Sequence, residues 1–329
     1  MAPPSLTALV VTHRGGALLE RCLAALRPQL GASDELLVAV SARPGEAALE
    51  PCARWGAQAL QLRDNVGYAR AANHGLACSR GRAVLLLNDD TRALPGFVGA
   101  LRAAAGAPGL YQPRILLSDG SGRLDNAGHG LFPDGFNWAR GREDDDGAPY
   151  DAPGSVGAIS GAAMLLTREV LDAVGTFDED LGAFGEDVDL SLRARRRGFP
   201  LCYVPQARIE HDLGATYGRY GAAKVYLVER NRVRAAVRSL PMSAVLTMPA
   251  WTGLRLAGLG VAAGANRGWS GRVEPGCRRA ALRGIAAGLA HLPDALEKRR
   301  RDAPGWQLGE ADMWAHLLQH RVRLRDVLR

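Results

Sequence analysis

Short apolar runs alternate with amphipathic helical patterns along the first part of the chain. Runs that are apolar throughout are typical of strands buried on both faces of a parallel sheet. The strands predicted on this basis are Leu6–Thr12, Glu35–Val40, 59–62 and 83–87. The helices predicted around them are 17–30, 49–55, 67–80 and one after Pro95. This alternation predicts an α/β fold with a mostly parallel sheet flanked by helices.

The pattern becomes irregular in residues 119–155, which are rich in Gly, Asp, Pro and aromatic residues. A long segment without periodicity inside a compact domain is usually a functional loop or a lid. Regular patterns then return, and they predict strands at 156–166 and 201–204 and helices at Arg168–Val174 and 187–197.

The composition changes again from about Pro241. Residues 242–265 are apolar except for the interruptions at Pro249 and Arg255. Since a membrane span needs about 20 mostly apolar residues, a soluble helical extension, an interfacial helix and a span all stay open. Basic runs follow at 278–279, 298–301 and 321–329, and they fit solvated helix faces or contact with anionic lipid. We therefore predict a main domain of residues 1–240 and a helical basic extension of residues 241–329.

Bulk composition narrows the possible functions only slightly. The chain has 329 residues, of which 47% are hydrophobic, and a net charge of +7, so disorder over its whole length is excluded. Its five cysteines are scattered without a CxxC pair, which predicts neither a zinc site nor a disulfide framework. No signal sequence is recognisable at Met1. We expect a cytoplasmic protein, and we expect no nucleic-acid binding because the basic runs lack interleaved aromatic residues.

The motif Asn88-Asp89-Asp90 directly follows a predicted apolar strand. Ligands of open α/β sheets bind beyond the carboxyl ends of the strands. Two adjacent carboxylates there can hold a divalent cation that also bridges the oxygens of a diphosphate. A polar turn would explain the same residues without any function.

Two further motifs contain candidate catalytic side chains. Glu186, Asp187 and Asp189 lie at the start of a predicted helix, where either capping or a general base in a cleft would account for them. Asp189 is expected to face solvent or to act as a cap. His211 is either structural or completes a metal coordination sphere begun by Asp90.

Asn65 and Gly67 predict a turn that opens a helix. The N-terminus of a helix suits a phosphate or a sugar hydroxyl, and Arg70 suits a diphosphate, although ordinary turn chemistry and a surface arginine are an equal explanation. The chain contains neither a GxxxxGK[ST] phosphate loop nor a GxSxG nucleophile motif.

Taken in order, these motifs resemble family 2 glycosyltransferases of the GT-A fold, and most of all their bacterial rhamnosyltransferase-like branch. The resemblance covers roughly residues 5–240, and its specificity comes from the order and spacing of the motifs. The matching stretches are VVTHR at 10–14, RDNVGYARAANHG at 63–75, LLLNDDT at 85–91, LDNAGHGLFPDG at 124–135, SGAAMLLTREVLDAVGTFDED at 160–180, FGEDVDLSLRARRRGF at 184–199 and YVPQARIEHDLGAT at 203–216.

The resemblance implies a role for each matching position. Asp90 would hold Mn²⁺ or Mg²⁺, with His211 as a further ligand, and Asp187, beside Glu186, would be the catalytic base. The acceptor and the donor sugar would contact Ser160, Gly161 and Ala162. The nucleotide pocket would be formed by Thr12, Ser41, Asn65, Gly67, Arg70, Asn73, Asn88 and Asp89.

One position departs from the family pattern. Many members have an Asp that contacts the nucleotide base at the end of the second strand, and this chain has Val40 there. Recognition of the base would then rest on Ser41 or Arg43, or be looser. This departure supports one alternative, a degenerate family member that acts as a binding or scaffolding protein.

The expected reaction is transfer with inversion of a sugar, such as rhamnose or another deoxyhexose, from a dTDP-, UDP- or GDP-linked donor. The acceptor would be a hydroxyl of a glycan or of a polyprenyl-linked molecule, with the 119–155 segment closing over it. Peripheral contact with the inner face of the plasma membrane would run through the C-terminal region. A second alternative is a sugar nucleotidyltransferase, for which Thr12 to Gly16 is only a weak phosphate loop.

Overall fold

The computed structural model describes residues 5–43, 46–212, 221–264 and 276–327. Parts of some predicted segments lie outside these residues, namely Met1, Ala265, residues 213–216 of the last matching stretch and residues 328–329. The strands are β1 (Leu6–Thr12), β2 (Glu35–Val40), β3 (Gln58–Gln61), β4 (Ala83–Asn88), β5 (Thr91–Ala93), β6 (Leu110–Leu117), β7 (Leu124–Asn126), β8 (His129–Leu131), β9 (Asn137–Ala139), β10 (Gly154–Ser155), β11 (Ala163–Thr167) and β12 (Leu201–His211).

Helices connect the strands and form most of the C-terminal region. They are α1 (Gly16–Leu26), α2 (Glu46–Arg54), α3 (Tyr68–Cys78), α4 (Phe97–Ala104), α5 (Arg168–Val174), α6 (Glu186–Arg196), α7 (Ala222–Ser239), α8 (Met242–Gly264), α9 (Cys277–Ala290), α10 (Leu292–Asp302), α11 (Glu310–Gln319) and α12 (Leu324–Val327).

The central sheet has the strand order β10-β12-β6-β11-β4-β1-β2-β3. Strands β4, β1, β2 and β3 are parallel, as predicted, and so are β6 and β12. However, β11 runs antiparallel to both β4 and β6, so the sheet is mixed. Because β11 is inserted between β4 and β6, all these parallel strands still end at one edge.

Both faces of the sheet are covered, which explains why β1, β2 and β4 are almost entirely apolar. Alternate residues of β1 point to opposite sides, so Val10 packs in the cluster that contains Leu19 and Leu23 of α1, and Leu9 packs with α3. A Cβ at Gly75 of α3 would overlap the side chain of Leu9, so this glycine permits the close approach of α3 to the sheet. Each fully buried leucine contributes about 1.5–3 kcal/mol.

The predicted elements before residue 105 are confirmed with small shifts at their ends, whereas three predictions around the other strands were wrong. The predicted strand 156–166 is limited to β11, because Ile159 and Ser160 donate their backbone N–H groups to side chains instead of a neighbouring strand. No strand was predicted at β6, whose pattern is interrupted by Pro113 and the buried Arg114. Strand β12 continues past Val204 to His211 across a register shift.

The described residues after 240 are mostly helical, as predicted, while the domain boundary there stays a prediction. Helix α9 lies directly on α7, since a Cβ at Gly284 would be 2.5 Å from the backbone oxygen of Tyr226 and one at Gly288 would be 2.8 Å from that of Arg230. Among the described helices, none is long and apolar enough to cross a membrane.

A buried ion cluster fixes α8 to the rest of the molecule. Arg255 of α8 is only 1% exposed, and its guanidinium lies 3.0 Å from Asp134 Oδ2 and 2.7 Å from Glu229 Oε1. Arg232 pairs with the same two carboxylates at 3.4 and 2.9 Å. Two carboxylates therefore face two guanidinium groups, and this balance allows all four charges to be buried.

Replacing one arginine of this cluster is expected to destabilise the fold strongly. In Arg255→Met, Asp134 and Glu229 keep only Arg232, and an uncompensated buried charge costs about 3–5 kcal/mol. The free energy of unfolding in urea at neutral pH measures the loss. The matched control is Arg283→Met on the exposed side of α9, and equal stability of the two variants would contradict the importance of the cluster.

Candidate active site

A cavity of about 700 Å³ lies at the edge where the parallel strands end. Strands β1 and β4 bring their last residues to it, and Ser41 reaches it directly after β2. Residues 160–162 reach the same edge because β11 runs in the opposite direction. Most of the site residues predicted from the sequence line this cavity: Thr12, Ser41, Asn65, Gly67, Asn88, Asp89, Asp90, Ser160, Gly161, Ala162, Glu186, Asp187 and His211.

The first wall of the cavity contains Thr12 and Asp89. The hydroxyl of Thr12 donates a short hydrogen bond to Asp89 Oδ2 and accepts one from the backbone N–H of Gly15 at 2.9 Å. Burial raises the pKa of Asp89 to about 6, and the neighbouring Asp90 acts in the same direction, while the Thr12 hydrogen bond opposes it. Asp89 is thus held rigidly at the end of β4.

Three side chains form a chain of contacts at the end of β12. His211 Nδ1 lies 2.7 Å from Asp125 Oδ2, and His211 Nε2 lies 3.4 Å from Asp90 Oδ1. Burial disfavours the charged imidazole, but the hydrogen bonds with Asp125 and Asp90 outweigh it and raise the pKa of His211 to about 10. Burial likewise opposes ionisation of Asp125, yet the hydrogen bond with His211 holds the pKa of Asp125 below its usual value.

This arrangement can hold a divalent cation between Asp90 and His211 once the imidazole releases its Nε2 proton, since metal binding displaces protons from its ligands. Asp90 Oδ1 is buried, and its 3.4 Å contact with His211 Nε2 is too long for a strong hydrogen bond, so this oxygen is available as a ligand. Within the described part of the chain, no three His, Cys, Asp or Glu side chains are grouped closely enough to hold a metal. Mg²⁺ commonly binds one or two protein groups and completes its shell with substrate phosphates and water. The pair therefore suits a cation that arrives with a diphosphate.

Asp187 and Glu186 begin α6 on another side of the cavity. Asp187 Oδ2 accepts a hydrogen bond from the backbone N–H of Gly161 at 2.7 Å, and its Oδ1 accepts one from Val188 at 2.8 Å. Glu186 is buried, and its Oε2 accepts no hydrogen bond. Burial, together with the adjacent Asp187, raises the pKa of Glu186 well above its usual value. The protonated form of Glu186 is thus favoured.

The turn before α6 has an unusual backbone conformation. Phe184 has a φ of 63°, which is rare for a non-glycine residue, and Gly185 follows with a φ of 92°. Asn231 of α7 stabilises this turn, because its Nδ2 lies 2.9 Å from the carbonyl oxygen of Ala183 and 2.6 Å from that of Phe184. Helix α7 therefore determines where Asp187 is placed.

The sequence matches two family descriptions over nearly all of its N-terminal two thirds. Residues 7–174, just over half of the chain, match "Glycosyl transferase family 2", and residues 150–238 match "Glycosyltransferase like family 2". The chain belongs to glycosyl transferase family 2. The family predicted from the motifs is confirmed.

Curated relatives with similar sequences differ in how much of them the chain covers. It is 28% identical to the uncharacterized protein y4gI of Sinorhizobium fredii over 46% of the chain and 17% of that protein. It is 33% identical to the uncharacterized protein Rv1525 of Mycobacterium tuberculosis over 45% of the chain and 54% of that protein, so it spans about half or less of these two. An N-acetylglucosaminyl-diphospho-decaprenol L-rhamnosyltransferase of M. tuberculosis is 28% identical over 65% of the chain and 78% of that enzyme.

Solved structures confirm the GT-A fold. GalNAc-T7 with UDP, GalNAc and Mn²⁺ superposes with a TM-score of 0.57 at 15% identity, covering 72% of this chain and 48% of that one. The mannosyltransferase PcManGT from Pyrobaculum calidifontis, in complex with GDP-Man and Mn²⁺, superposes with a TM-score of 0.53 at 16% identity. That match covers 92% of this chain and 88% of PcManGT.

Two residues predicted for the nucleotide pocket do not line the cavity of this family 2 domain. Arg70 forms an ion pair with Glu179 at 3.3 Å, and Asn73 donates to the carbonyl oxygen of Phe177 at 2.9 Å. Both residues sit on the side of α3 that holds the segment before α6. Their role in this structure is to join these two elements.

Position 40 and its neighbours, which were considered for recognition of the nucleotide base, lie in different environments. Val40 is buried in the core and does not reach the cavity, while Ser41 does and donates to Asn65 Oδ1 at 3.3 Å. Arg43 pairs with Asp64 at 3.1 Å on the surface. Of the two residues considered for recognition of the nucleotide base, Ser41 is therefore the one at the cavity.

The prediction for Asp189 was wrong, because this side chain faces the interior. It is 1% exposed, and it pairs with Arg193 at 2.8 Å and with Arg238 of α7 at 3.1 Å. Arginines from two helices thus outweigh the capping preference that the sequence indicated. Asp189 helps to hold α6 on α7.

The predicted site omitted several residues of the irregular 119–155 segment. Asp125, Asn126, His129 and Arg142 line the cavity. The stretch LDNAGHG at 124–130 matched the family pattern without suggesting a role for Asp125. The acid and the histidine in this stretch were a signal that it belongs to the site. The role of Asp125 itself comes from its contact with His211, a residue that is distant in sequence.

One part of the cavity wall is apolar and comes largely from the C-terminal helices. Leu256 and Leu259 of α8 and Ala281 and Leu282 of α9 line it. The helical extension therefore completes the same cavity that the sheet begins. Other apolar lining residues include Phe136, Trp138, Val225 and Val228.

Replacing Asp125 by Asn is expected to weaken cation binding without removing a direct ligand. Partners of a metal-bound histidine fix its orientation, and their loss typically lowers metal affinity about 10–100-fold. Titration with Mn²⁺ in the presence of a nucleoside diphosphate measures this affinity. Asp172→Asn on the exposed side of α5 is the control, and an affinity in Asp125→Asn equal to that control would show that Asp125 does not position His211.

Proposed function

We propose that the chain is a metal-assisted, inverting glycosyltransferase with a nucleotide-sugar donor. One observation carries this proposal: a single cavity is lined by a candidate base, Asp187, and by the Asp90–His211 pair suited to a cation. Such a cavity brings an acceptor hydroxyl and a leaving diphosphate together. The retention of both groups argues against a scaffold, which would need neither.

The donor nucleotide is placed at the ends of β1, β2 and β4, where open α/β sheets bind their ligands. Thr12, Ser41 and Asn65 line this part of the cavity, and Asn88 and Asp89 lie beside them. The candidate donors are dTDP-, UDP- and GDP-linked sugars. Rhamnose or another deoxyhexose is the proposed sugar, supported by similarity to the mycobacterial rhamnosyltransferase.

Transfer is proposed to occur in a single displacement. Asp187 accepts the proton of the acceptor hydroxyl, whose oxygen forms a bond to the anomeric carbon as the bond to the diphosphate oxygen breaks. The hydroxyl attacks opposite the leaving group, so the configuration inverts. The hydrogen bonds from Gly161 and Val188 hold the Asp187 carboxylate in one orientation.

Glu186 assists by carrying no charge. Burial and the adjacent Asp187 raise its pKa well above the usual value, which favours the protonated form. A second carboxylate at this position would repel both the first and the diphosphate.

Asp90 and His211 would hold the Mn²⁺ or Mg²⁺, which, when bound, stabilises the negative charge that develops on the diphosphate. Arg142, Lys224 and Arg278 also line the cavity and add positive charge near phosphorylated substrates. Ser160, Gly161 and Ala162 lie between the donor wall and Asp187, where the transferred sugar and the acceptor would meet.

For the acceptor we infer a glycan hydroxyl on a polyprenyl-linked molecule, used at the cytoplasmic face of a membrane. The apolar lining contributed by α8 and α9 supports an acceptor with a lipid portion. The name of the similar decaprenol-dependent rhamnosyltransferase supports the same class.

Asp187→Asn is expected to abolish transfer while donor binding is retained. General-base catalysis contributes about 10²–10⁴-fold to a rate, so kcat should fall at least that far. The assay follows release of the nucleoside diphosphate from the donor with the acceptor present, and calorimetry follows donor binding. Asp172→Asn again serves as the control, and full transfer by Asp187→Asn would refute the base assignment.

Calorimetric titration with UDP, dTDP and GDP, with and without Mn²⁺, tests the donor site without knowledge of the acceptor. One nucleotide should bind tightly only with the metal, and Asp90→Asn should lose this binding because a cation ligand is missing. Asp64→Asn, at the exposed pair with Arg43, should bind like the wild type. If none of the three nucleotides bound, the proposal of an enzyme would be refuted in favour of a degenerate family member that acts as a binding or scaffolding protein.

A further inference from the structure

Helix α8 has its charged residue inside and its apolar residues outside, the reverse of a typical surface helix. Arg255 is buried in the ion cluster, whereas Leu246 is 76% exposed, Leu254 is 48% exposed and Trp251 is 37% exposed. Positions 246, 250, 254 and 257 follow helical spacing, so the exposed apolar residues form a stripe along the helix.

Helix α9 presents a mixed apolar and basic outer face. Leu282 is 63% exposed and Leu289, two turns later, is 47% exposed. Arg279 and Arg283 are exposed beside these leucines. Neither α8 nor α9 contains an acidic residue. The two helices therefore offer apolar and positively charged groups without any negative one.

Both helices that carry these outer faces also line the candidate active-site cavity. Leu256 and Leu259, on the helix that carries the exposed stripe, line the cavity from α8, and Arg278 and Leu282 line it from α9. Leu282 is both exposed and part of the lining, so it marks the place where the cavity wall reaches the surface.

We propose that the outer faces of α8 and α9 bind an anionic lipid surface, with the cavity opening beside it. Leu246, Trp251 and Leu254 insert among the lipid chains, and Arg279 and Arg283 pair with lipid phosphates. The delivery of a lipid-linked acceptor to Asp187 by this binding rests on the proposed function. The binding to lipid itself does not.

Charge favours lipid over a second copy of the chain as the occupant. In a symmetric dimer the same face meets itself, so Arg279 and Arg283 would find no acidic partner on these helices. An anionic bilayer supplies the missing negative charge together with an apolar interior. Both properties of the surface are then satisfied at once.

The test measures flotation of the full chain with phosphatidylcholine vesicles and with vesicles that also contain phosphatidylglycerol. The wild type should bind the anionic vesicles more strongly. Leu246→Asp combined with Leu254→Asp should lower binding about tenfold or more, since inserted leucines lose contact with the lipid chains. Arg279→Glu combined with Arg283→Glu should lose about tenfold or more on anionic vesicles alone.

Leu49→Asp provides the matched control, because Leu49 is 44% exposed on α2, which packs with α1 on the N-terminal part of the sheet. The proposal is overturned if the wild type floats with neither vesicle, if Leu49→Asp loses as much as the α8 variant, or if both double variants bind like the wild type. A lipid-free dimer that the α8 variant dissociates would also overturn it, in favour of a second copy.

Calorimetry on the same samples separates this proposal from the enzymatic one. Metal-dependent nucleotide binding without flotation would refute the proposed lipid-binding surface and leave the proposed glycosyltransferase activity unaffected. Flotation without nucleotide binding would support the lipid-binding surface and refute the proposed enzymatic function.

Discussion

The site depends on keeping several carboxylates close together at one sheet edge without mutual repulsion. Those that line the cavity near its polar wall are Asp89, Asp90, Asp125, Glu186 and Asp187. Each is compensated differently: Asp89 by Thr12, Asp125 by His211 and Glu186 by a raised pKa that favours its protonated form. Asp187 is held by two backbone N–H groups, and Asp90 Oδ1 has a long contact with His211. These are the two carboxylates that the proposed reaction needs for a proton and a cation.

The mixed sheet is what brings these groups together. Parallel strands carry Thr12 and Asp90 to one edge, but residues 160–162 reach it only because β11 is antiparallel. The last residue of β12, His211, arrives there because that strand continues past its register shift. A uniformly parallel sheet ending at Val204 would leave Asp90 without its histidine and Asp187 without the N–H of Gly161.

The local sequence pattern was sufficient to predict those elements whose structure is determined by the burial of one face or of both faces. Strands β1 and β2 were predicted to the residue, and the loops that follow the apolar strands were recognised as ligand positions. Pattern failed where distant charges decide, since Arg114 conceals β6 and Arg238 draws Asp189 inward. Asp125 was missed for the same reason, because its meaning comes from a partner 86 residues away. A sequence window shows a charge but not the charge that neutralises it.

Arg255 illustrates how such a hidden pairing changes the meaning of a whole helix. In the sequence it interrupts an apolar segment and argues against a membrane span. In the structure Arg255 pairs with Asp134 and Glu229 in the interior. The residue that interrupts the apolar segment therefore anchors the helix, and the leucines face outward. Because the anchored helix also lines the cavity through Leu256 and Leu259, the ion cluster fixes both the apolar wall of the site and the orientation of the exposed stripe. The C-terminal helices thus help to form the candidate active site.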